Sequence, residues 1–198
     1  MVPRKHSYSI SANKMEESID ISKVLETFVS NRFDPAIDQS SSLPNIAGNY
    51  LVCLKSLSKL PAASIVPKIN TFDGLDVIYT GIASKSLRTR DYKTHFQGNA
   101  GRSTLRKSLG VLFGYKLIPR DRDPTTGKTK FCDAHESILS KWMRENLVIY
   151  FLECSEYLKV EMALIERFNP PLNLQGCNSR VNQAFRKLLS SLRSSMVK

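Results

Sequence analysis

The spacing of apolar and polar positions along this chain of 198 residues predicts three strands separated by helices. Residues 147–152 are the clearest strand (Leu-Val-Ile-Tyr-Phe-Leu), and residues 50–57 and 76–80 are shorter runs of the same kind. Apolar residues at helical spacing, next to capping residues, predict helices at 16–31, 86–97, 104–113, 133–146, 156–168 and 179–194. This order predicts an α/β or α+β fold in which helices cover a small sheet.

Turn-forming residues separate these elements. Residues 34–44 contain Asp-Pro and three consecutive serines, which is typical of a linker, and residues 1–42 are therefore interpreted as an N-terminal helical extension. The sequence Asp-Pro-Thr-Thr-Gly at 123–127 predicts the tip of a hairpin. Asp133 and Glu136 have the spacing of a capping box at the start of a helix.

The charge of the chain indicates the kind of partner. Lysine and arginine total 29 against 18 aspartate and glutamate, which gives a net charge of +11 and a pI near 9.6. An excess of this size favours a polyanionic partner such as DNA, RNA or an anionic membrane surface, whereas the alternative is that the charge serves solubility alone. Apolar residues make up 41% of the chain, enough to fill a core.

The sequence also predicts where the protein resides. No run approaches the roughly 20 apolar residues of a membrane span, and the N-terminus has no apolar signal core. The four cysteines include no Cys-x-x-Cys pair, and Cys132 with His135 would supply only half of a zinc site. We therefore expect a cytoplasmic protein with reduced thiols and no membrane partner.

Glu161 stands out without reference to any family. On a helical wheel of residues 156–168 it falls inside an apolar arc formed by Leu158, Met162, Leu164, Ile165 and Phe168. A carboxylate on an apolar face is costly unless a partner compensates it. Either Glu161 forms a buried salt bridge or lies at the edge of the apolar face, or it is a ligand of a hard metal ion. Mg²⁺ sites at phosphates use only one or two carboxylates, so a single glutamate suffices for the second interpretation.

A basic segment follows the second predicted strand. Within residues 86–97, Arg88, Tyr92 and His95 share one helical face, and Arg90, Lys93 and Thr94 share another. Planar guanidinium groups bind phosphate oxygens in bidentate fashion. A solvated basic helix is the alternative.

These residues form a series that resembles the GIY-YIG nuclease superfamily. Gly48-Asn49-Tyr50 on the first strand is similar to its "GIY" element, and Tyr79-Thr80-Gly81 is similar to "YIG". A Leu-x-x-Arg helix start follows, from Leu87 to Arg90, and Glu161 stands twelve residues before Asn173 with Pro170 and Pro171 between them. The resemblance covers about residues 43–177. The segment 103–109 and the final basic helix are similar to a bacterial stand-alone branch of this superfamily.

The resemblance implies a nuclease domain at 43–177, with a three-stranded, mainly antiparallel sheet flanked by helices, and a C-terminal basic helix at 178–198. It also implies hydrolysis of phosphodiesters with one divalent ion, Mg²⁺ or Mn²⁺. Carried over to this chain, the resemblance implies that Glu161 binds the ion and that Arg90 stabilises the negative charge that develops on the phosphate. Tyr50, or a water that it orients, would accept the proton of the attacking water, with assistance from His95. Tyr79 would orient the nucleophile or the metal-bound water, and Asn173 would stabilise the site by hydrogen bonding.

The chain departs from the family pattern in several places. The gap between Tyr50 and Tyr79 is long, which implies an insertion between the first two strands. Ile82 stands where many members have lysine, and Lys85 could compensate. Arg88 is a rival to Arg90, and His95 follows Arg90 by five residues instead of four. The residues expected to contact nucleic acid are Lys85, Arg88, Lys93, Arg102 and Arg106.

The sequence therefore predicts a metal-dependent endonuclease acting on DNA. A first alternative is a catalytically inactive nucleic-acid-binding module on the same fold, which the altered residues Asn49 and Thr80 keep open. A second is a structural or assembly protein with a generic basic surface, which would leave Glu161 unexplained. A homodimer is one expectation for a site-specific cutter of duplex DNA, because such an enzyme needs two active sites.

Overall fold

A five-stranded antiparallel sheet organises the chain. The computed structural model describes residues 19–194, apart from the side chain of Pro124. The strands lie in the order β1 (Arg32–Phe33), β7 (Leu147–Glu153), β2 (Gly48–Leu54), β4 (Leu75–Ala83), β3 (Thr71–Phe72). The α+β class and the antiparallel pairing are confirmed. The expected number of three strands is wrong, because the two-residue strands β1 and β3 extend the sheet at its edges and are too short to give a sequence pattern.

The central strand β2 is buried on both faces, and its alternating side chains enter two separate cores. Tyr50, Val52 and Leu54 face the larger core, which contains the helices α2 (Thr104–Leu112), α3 (Asp133–Asn146) and α5 (Gln183–Ser194). Leu51 and Cys53 face a smaller core under α1 (Ile21–Ser30) and α4 (Tyr157–Phe168). Because successive residues of a strand point to opposite faces, this register fixes Tyr50 in the larger core.

A β-bulge in β4 brings Tyr79 to the same core. Val52 pairs with Tyr79, but the next residue of β2, Cys53, pairs with Val77, so Ile78 is the extra residue. Ile78 and Tyr79 consequently both contribute to the larger core, whereas Val77 contributes to the smaller one. Bulges re-aim side chains in this way and are frequent beside active sites.

The helices lie close to the positions that the sequence predicts. Most boundaries agree within a few residues, and for α1 the predicted residues 16–18 fall outside the described part of the chain. The predicted hairpin around 123–127 is present, with β5 (Ile118–Pro119) paired to β6 (Thr129–Lys130). The four cysteines are free thiols. The predicted helix at 86–97 is a π-helix, Arg88–Phe96.

The predicted capping box at the start of α3 is wrong. No side chain caps this helix at Cys132, and Asp133 is exposed at the first helical position. The Glu136 carboxylate instead accepts hydrogen bonds from the backbone N–H groups of Ala100 and Phe131, at 2.8 and 3.1 Å. The Glu136 carboxylate therefore interacts with other parts of the fold, whereas the local spacing predicts that it caps α3.

The cationic partner of Glu136 is Arg106, which was expected to bind nucleic acid. Its side chain is fully buried and donates from Nη2 to Glu136 Oε2 at 2.6 Å and from Nε to the same oxygen at 3.1 Å. Its Nη1 also donates to the His95 carbonyl and to Ser140 Oγ, at 2.8 and 2.9 Å. The expectation that Arg106 forms part of a nucleic-acid surface is therefore wrong, because every end of the guanidinium is held inside the protein.

We expect Arg106→Met to reduce the free energy of unfolding by about 3–5 kcal/mol, because it leaves the Glu136 charge buried without its cation. Restoring neutrality in the double variant Arg106→Met, Glu136→Gln should recover part of that loss. Urea titration at neutral pH measures both. Lys130→Met, which removes the exposed pair with Asp133, is the matched control and should cost no more than about 1 kcal/mol. Equal losses in the two single variants would contradict the prediction.

Candidate active site

A cleft of about 330 Å³ opens between β4, α4 and α5. Its chemically active side chains come from four separate parts of the chain: Tyr79, Glu161, Asn173 and Arg193. Three of these residues were predicted from sequence to share a site. The fold brings them together because the bulge in β4 turns Tyr79 toward the cleft while α4 presents Glu161 along its wall.

Glu161 lies at the edge of the buried face of α4. The buried side of the helix consists of Val160, Leu164, Ile165 and Phe168. Two members of the predicted apolar arc are instead exposed, Leu158 at 61% and Met162 at 71%, so that part of the prediction is wrong. Glu161 is half-buried and no ion pair joins it to another residue between 19 and 194. Burial raises the pKa of Glu161, and the charge of Arg90 opposes that shift.

Asn173 holds the strand that carries Tyr79. Its side-chain amide donates to the Thr80 carbonyl and its Oδ1 accepts from the Thr80 N–H, both at 2.9 Å. The Tyr79 hydroxyl is 2.9 Å from Thr104 Oγ1 at the start of α2. The backbone next to Tyr79 is therefore held by Asn173, and the Tyr79 hydroxyl is held by the start of α2. Arg186 on α5 secures Asn173 in turn, by donating from Nε to its carbonyl at 2.9 Å.

Tyr50 lies one layer behind the cleft and is fully buried. Its hydroxyl is 2.7 Å from His95 Nε2, and His95 Nδ1 is 2.7 Å from Ser103 Oγ. Burial raises the pKa of Tyr50 well above its usual range, with further increases from Tyr79 and Asp91, whereas Arg90 acts in the opposite direction. The resting form of Tyr50 is therefore the neutral phenol. Burial also lowers the pKa of His95, so its ring is neutral.

The two glycines of the motifs leave room for these contacts. A methyl group on Gly81 would overlap the Tyr50 hydroxyl, and one on Gly48 would overlap the Leu152 carbonyl of β7. The altered middle residues are both buried within the sheet. Thr80 donates from Oγ1 to the Tyr50 carbonyl at 2.8 Å, and Asn49 donates to the Tyr157 carbonyl at 2.8 Å. Their side chains therefore serve the fold and do not line the cleft.

The π-helix explains the unusual spacing of Arg90 and His95. A π-helix forms hydrogen bonds between residues five apart, as between the Gln97 N–H and the Tyr92 carbonyl at 3.1 Å. Residues five apart are therefore neighbours on successive turns, where an α-helix would need four. One additional residue between Arg90 and His95 thus leaves both beside Tyr50, since Arg90 acts electrostatically on Tyr50 and His95 contacts its hydroxyl.

Arg88 and Arg90, the two candidates for the catalytic arginine, have different contacts. Arg88 donates from Nε to the Leu43 carbonyl at 2.8 Å and from Nη2 to the Ser41 carbonyl at 3.0 Å, which ties the π-helix to the preceding linker. Arg90 instead adjoins Tyr50 and acts on the carboxylate of Glu161. Arg90 is therefore the arginine whose charge acts on both Tyr50 and Glu161. Of the other residues expected to contact nucleic acid, Lys85, Lys93 and Arg102 are exposed.

Asp91 is a buried carboxylate that sequence reasoning overlooked. Neither of its side-chain oxygens has a hydrogen-bond partner among residues 19–194. Burial raises its pKa well above the usual value, and only the Arg90 charge opposes this. Buried polar atoms in folded proteins nearly always have partners, so this position is an exception. An acidic residue on a basic helix gives no sequence signal of burial, and for that reason Asp91 was not identified.

Arg193 and Ser103 were also missed as site residues. Phe185, Leu189 and Arg193 follow one another at intervals of four in α5, and the first two are buried. That spacing places Arg193 on the inward face of the helix and could have been recognised. Ser103 caps α2 by accepting a hydrogen bond from the Arg106 N–H at 3.1 Å. Its second contact, with His95, depends on the tertiary fold.

The donor set fits a metal ion held by few protein ligands. In the part of the chain that the structure describes, no three His, Cys, Asp or Glu side chains converge, and Cys132 with His135 has no further partners for zinc. Glu161 offers one carboxylate at a cleft open to solvent and substrate. This matches Mg²⁺, which retains several waters and takes one or two carboxylates together with substrate phosphate oxygens.

None of the helices between residues 19 and 194 has both the length and the apolar character needed to cross a bilayer.

Residues 48–195 match the family model of the GIY-YIG catalytic domain. The match includes both tyrosine motifs, the π-helix, Glu161, Asn173 and α5. Neither the curated proteins nor the solved structures include a match to this chain.

We expect Asp91→Asn to change how stability depends on pH. Because the folded-state pKa of Asp91 is raised above 3.8, the stabilisation that its proton gives is complete below that pH and is lost as the pH rises through the folded pKa. The variant lacks this loss, so it should gain stability relative to wild type as the pH rises. Urea titrations between acidic and neutral pH measure the difference in the free energy of unfolding between the variant and wild type. His95 contributes equally to both proteins, so its opposite pH dependence cancels in this difference. A difference that stays constant with pH would contradict the prediction.

Proposed function

This chain belongs to the GIY-YIG catalytic-domain family, and on that premise we propose that it is a divalent-metal-dependent endonuclease that hydrolyses phosphodiester bonds in DNA. Membership of the family implies nuclease-type activity. The metal dependence and the choice of DNA are the proposal.

The observation that carries the proposal is the environment of Glu161. It is a half-buried carboxylate without an ion-pair partner between residues 19 and 194, and it shares a cleft with Tyr79 and Asn173. A carboxylate that is partly withdrawn from water needs compensation, and Arg90 supplies only part of it because the pKa of Glu161 remains raised. A divalent cation at this position, Mg²⁺ or Mn²⁺, would complete the compensation.

In this reaction Glu161 would hold the ion, which when bound supplies Lewis-acid stabilisation of charge on the phosphate. Arg90 would donate to the phosphate oxygens on which negative charge develops, since its charge acts on Glu161 and its side chain is partly exposed. Tyr79, fixed at its backbone and hydroxyl, would orient the attacking water. Asn173 would keep Tyr79 in place through its two bonds to Thr80.

Proton transfer would run through Tyr50 and His95. A neutral His95 can accept a proton on Nε2 from the Tyr50 hydroxyl, so Tyr50 could take the proton of the water while it gives its own to His95. The His95 Nδ1–H would then donate to Ser103 Oγ. Tyr50 is covered in this structure and Arg90 is one of the groups against it. Movement of Arg90 onto a bound phosphate would open the path from the cleft to Tyr50.

The charge of the chain supports a nucleic-acid substrate. The net charge is +11, and Lys85, Lys93 and Arg102 are exposed in or next to the π-helix segment, with Lys85 lining the same pocket as Arg90. Exposed cations near a cleft attract the phosphate backbone and orient it without reading sequence. Cleavage of both strands of a duplex would need two such sites, which a homodimer would provide.

The first experiment is nicking of supercoiled plasmid DNA with Mg²⁺, with Mn²⁺ and with EDTA. We expect wild-type protein to nick the plasmid only when the metal is present, and Glu161→Gln to lose nicking by at least about a hundredfold, because the ion loses the carboxylate of Glu161. Initial rates from gel densitometry give the comparison.

Glu145→Gln is the matched control, since Glu145 is exposed on α3 and pairs only with Lys141 at 3.9 Å. It should nick at the wild-type rate. Nicking that persists in EDTA or in Glu161→Gln would overturn the assignment of the metal site. Salt-sensitive binding to DNA without nicking by wild type would instead favour the inactive binding module.

A second prediction concerns Tyr50. Tyr50→Phe removes the hydroxyl between the cleft and His95, and we expect the nicking rate to fall by about 10²–10⁴-fold, the range of general acid–base contributions. Tyr150→Phe is the control, because Tyr150 is also buried on the sheet and donates its hydroxyl proton to Asp73 Oδ2 at 2.8 Å, on the opposite face. Each variant loses one side-chain hydrogen bond of a buried tyrosine, so urea titration should show similar stabilities. Equal nicking rates in the two variants would contradict a role for Tyr50 in proton transfer.

A further inference from the structure

Buried apolar side chains and the hydrogen bonds of one arginine attach the C-terminal helix α5 to the rest of the domain. Phe185 and Leu189 are buried in the larger core. Arg186 donates to the carbonyls of Asn169 and Pro170, at 3.2 and 3.0 Å, in addition to its bond with Asn173. These contacts fix α5 to the turn after α4, so the side chains on its inward face have defined positions relative to Glu161.

Arg193 occupies that inward face one turn after Leu189. It lines the same cleft as Tyr79 and Glu161 and is half-buried. Its one hydrogen bond within residues 19–194 is from Nη1 to Ser108 Oγ, at the long distance of 3.3 Å. No carboxylate in that part of the chain forms an ion pair with it. A guanidinium has five N–H donors, so most of those on Arg193 remain available to an acceptor in the cleft.

The surroundings of Arg193 favour an anion. Burial lowers the pKa of Arg193, and its charge in turn lowers the pKa of Lys107, after burial as the main cause. Lys107 donates to Thr129 Oγ1 at 2.9 Å, and within residues 19–194 it forms no ion pair with a carboxylate either. Two cations that repel each other, neither of them paired with a carboxylate, are stabilised when an anion binds.

We propose that Arg193 binds a phosphate group of the nucleic-acid strand next to the scissile phosphate, at the part of the cleft that α5 forms. The inference rests on the proposed function and names the part of the site that holds the substrate. Arg90, which acts on Glu161, serves the scissile phosphate. Arg193 acts from α5, so a second element of the fold holds the strand beside the reacting group. In this arrangement α5 is part of the active site.

The test measures binding and kinetics separately. In EDTA, where no cleavage occurs, fluorescence anisotropy with a labelled DNA duplex gives the Kd at several salt concentrations. We expect Arg193→Gln to raise Kd by about tenfold at moderate salt, and to make the slope of log K against log salt less negative by about 0.9, corresponding to one phosphate contact. In the plasmid assay with metal, the same variant should raise KM with little change in kcat, because the contact is present in both ground and transition states.

Two further variants make the result specific. Lys187→Gln removes one positive charge from the exposed side of the same helix and should leave Kd, the salt slope and KM near wild type. Arg193→Lys keeps the charge but lacks the planar fork, and should restore the salt slope while recovering only part of the affinity. Urea titration of each variant establishes that it is folded.

The outcomes separate this inference from the proposed function. If wild type binds and nicks DNA but Arg193→Gln and Lys187→Gln give the same shifts, the role of Arg193 is overturned while the nuclease assignment stands. The same conclusion follows if Arg193→Gln lowers kcat alone. If wild type neither binds nor nicks DNA, both fail.

Discussion

The buried ion pair between Arg106 and Glu136 is the interaction on which the geometry of the site depends. Two charges withdrawn from water lose hydration free energy, and they are tolerated only when hydrogen bonds satisfy their remaining donors and acceptors. Here Glu136 also accepts from the backbone of Ala100 and Phe131, and Arg106 also donates to the His95 carbonyl. The pair thereby joins the end of the π-helix, the hairpin and α3. Because His95 is attached to this network at its carbonyl, its ring can lie between Tyr50 and Ser103.

The π-helix shows how a local departure in sequence can leave a site intact. Counted as an α-helix, the five-residue interval between Arg90 and His95 would place the two side chains on different faces. The π-helical hydrogen bonds absorb the extra residue within one turn, at a cost in backbone stability that usually persists only at functional positions. The sequence motif is therefore shifted by one residue while the positions of its side chains around Tyr50 are kept.

The sequence predicted those features that depend on local pattern. The three long strands, the helices around them and the spacing from Glu161 to Asn173 all follow from apolar periodicity or from a motif, and the structure places Tyr79, Glu161 and Asn173 around one cleft. The features that it did not predict depend on partners far away in the chain. Arginine is usually found at the surface, but Arg106 is buried because it pairs with Glu136, thirty residues later in the chain. Leucine and methionine are usually found in the core, but Leu158 and Met162 are exposed because they lie outside the buried face of α4.

On the proposed function, the placement of charges around the cleft couples the binding of the metal ion to the binding of the nucleic-acid strand. Glu161 lines this cleft together with Arg193 from α5, and the charge of Arg90 on the π-helix acts on Glu161. A divalent cation alone would relieve Glu161 but add positive charge near these guanidinium groups. A phosphate alone would satisfy the arginines but lie against a carboxylate. When both bind, each offsets the repulsion that the other meets, so the metal and the strand should stabilise one another at this site. This coupling would reserve the assembled catalytic state for protein that already holds its substrate.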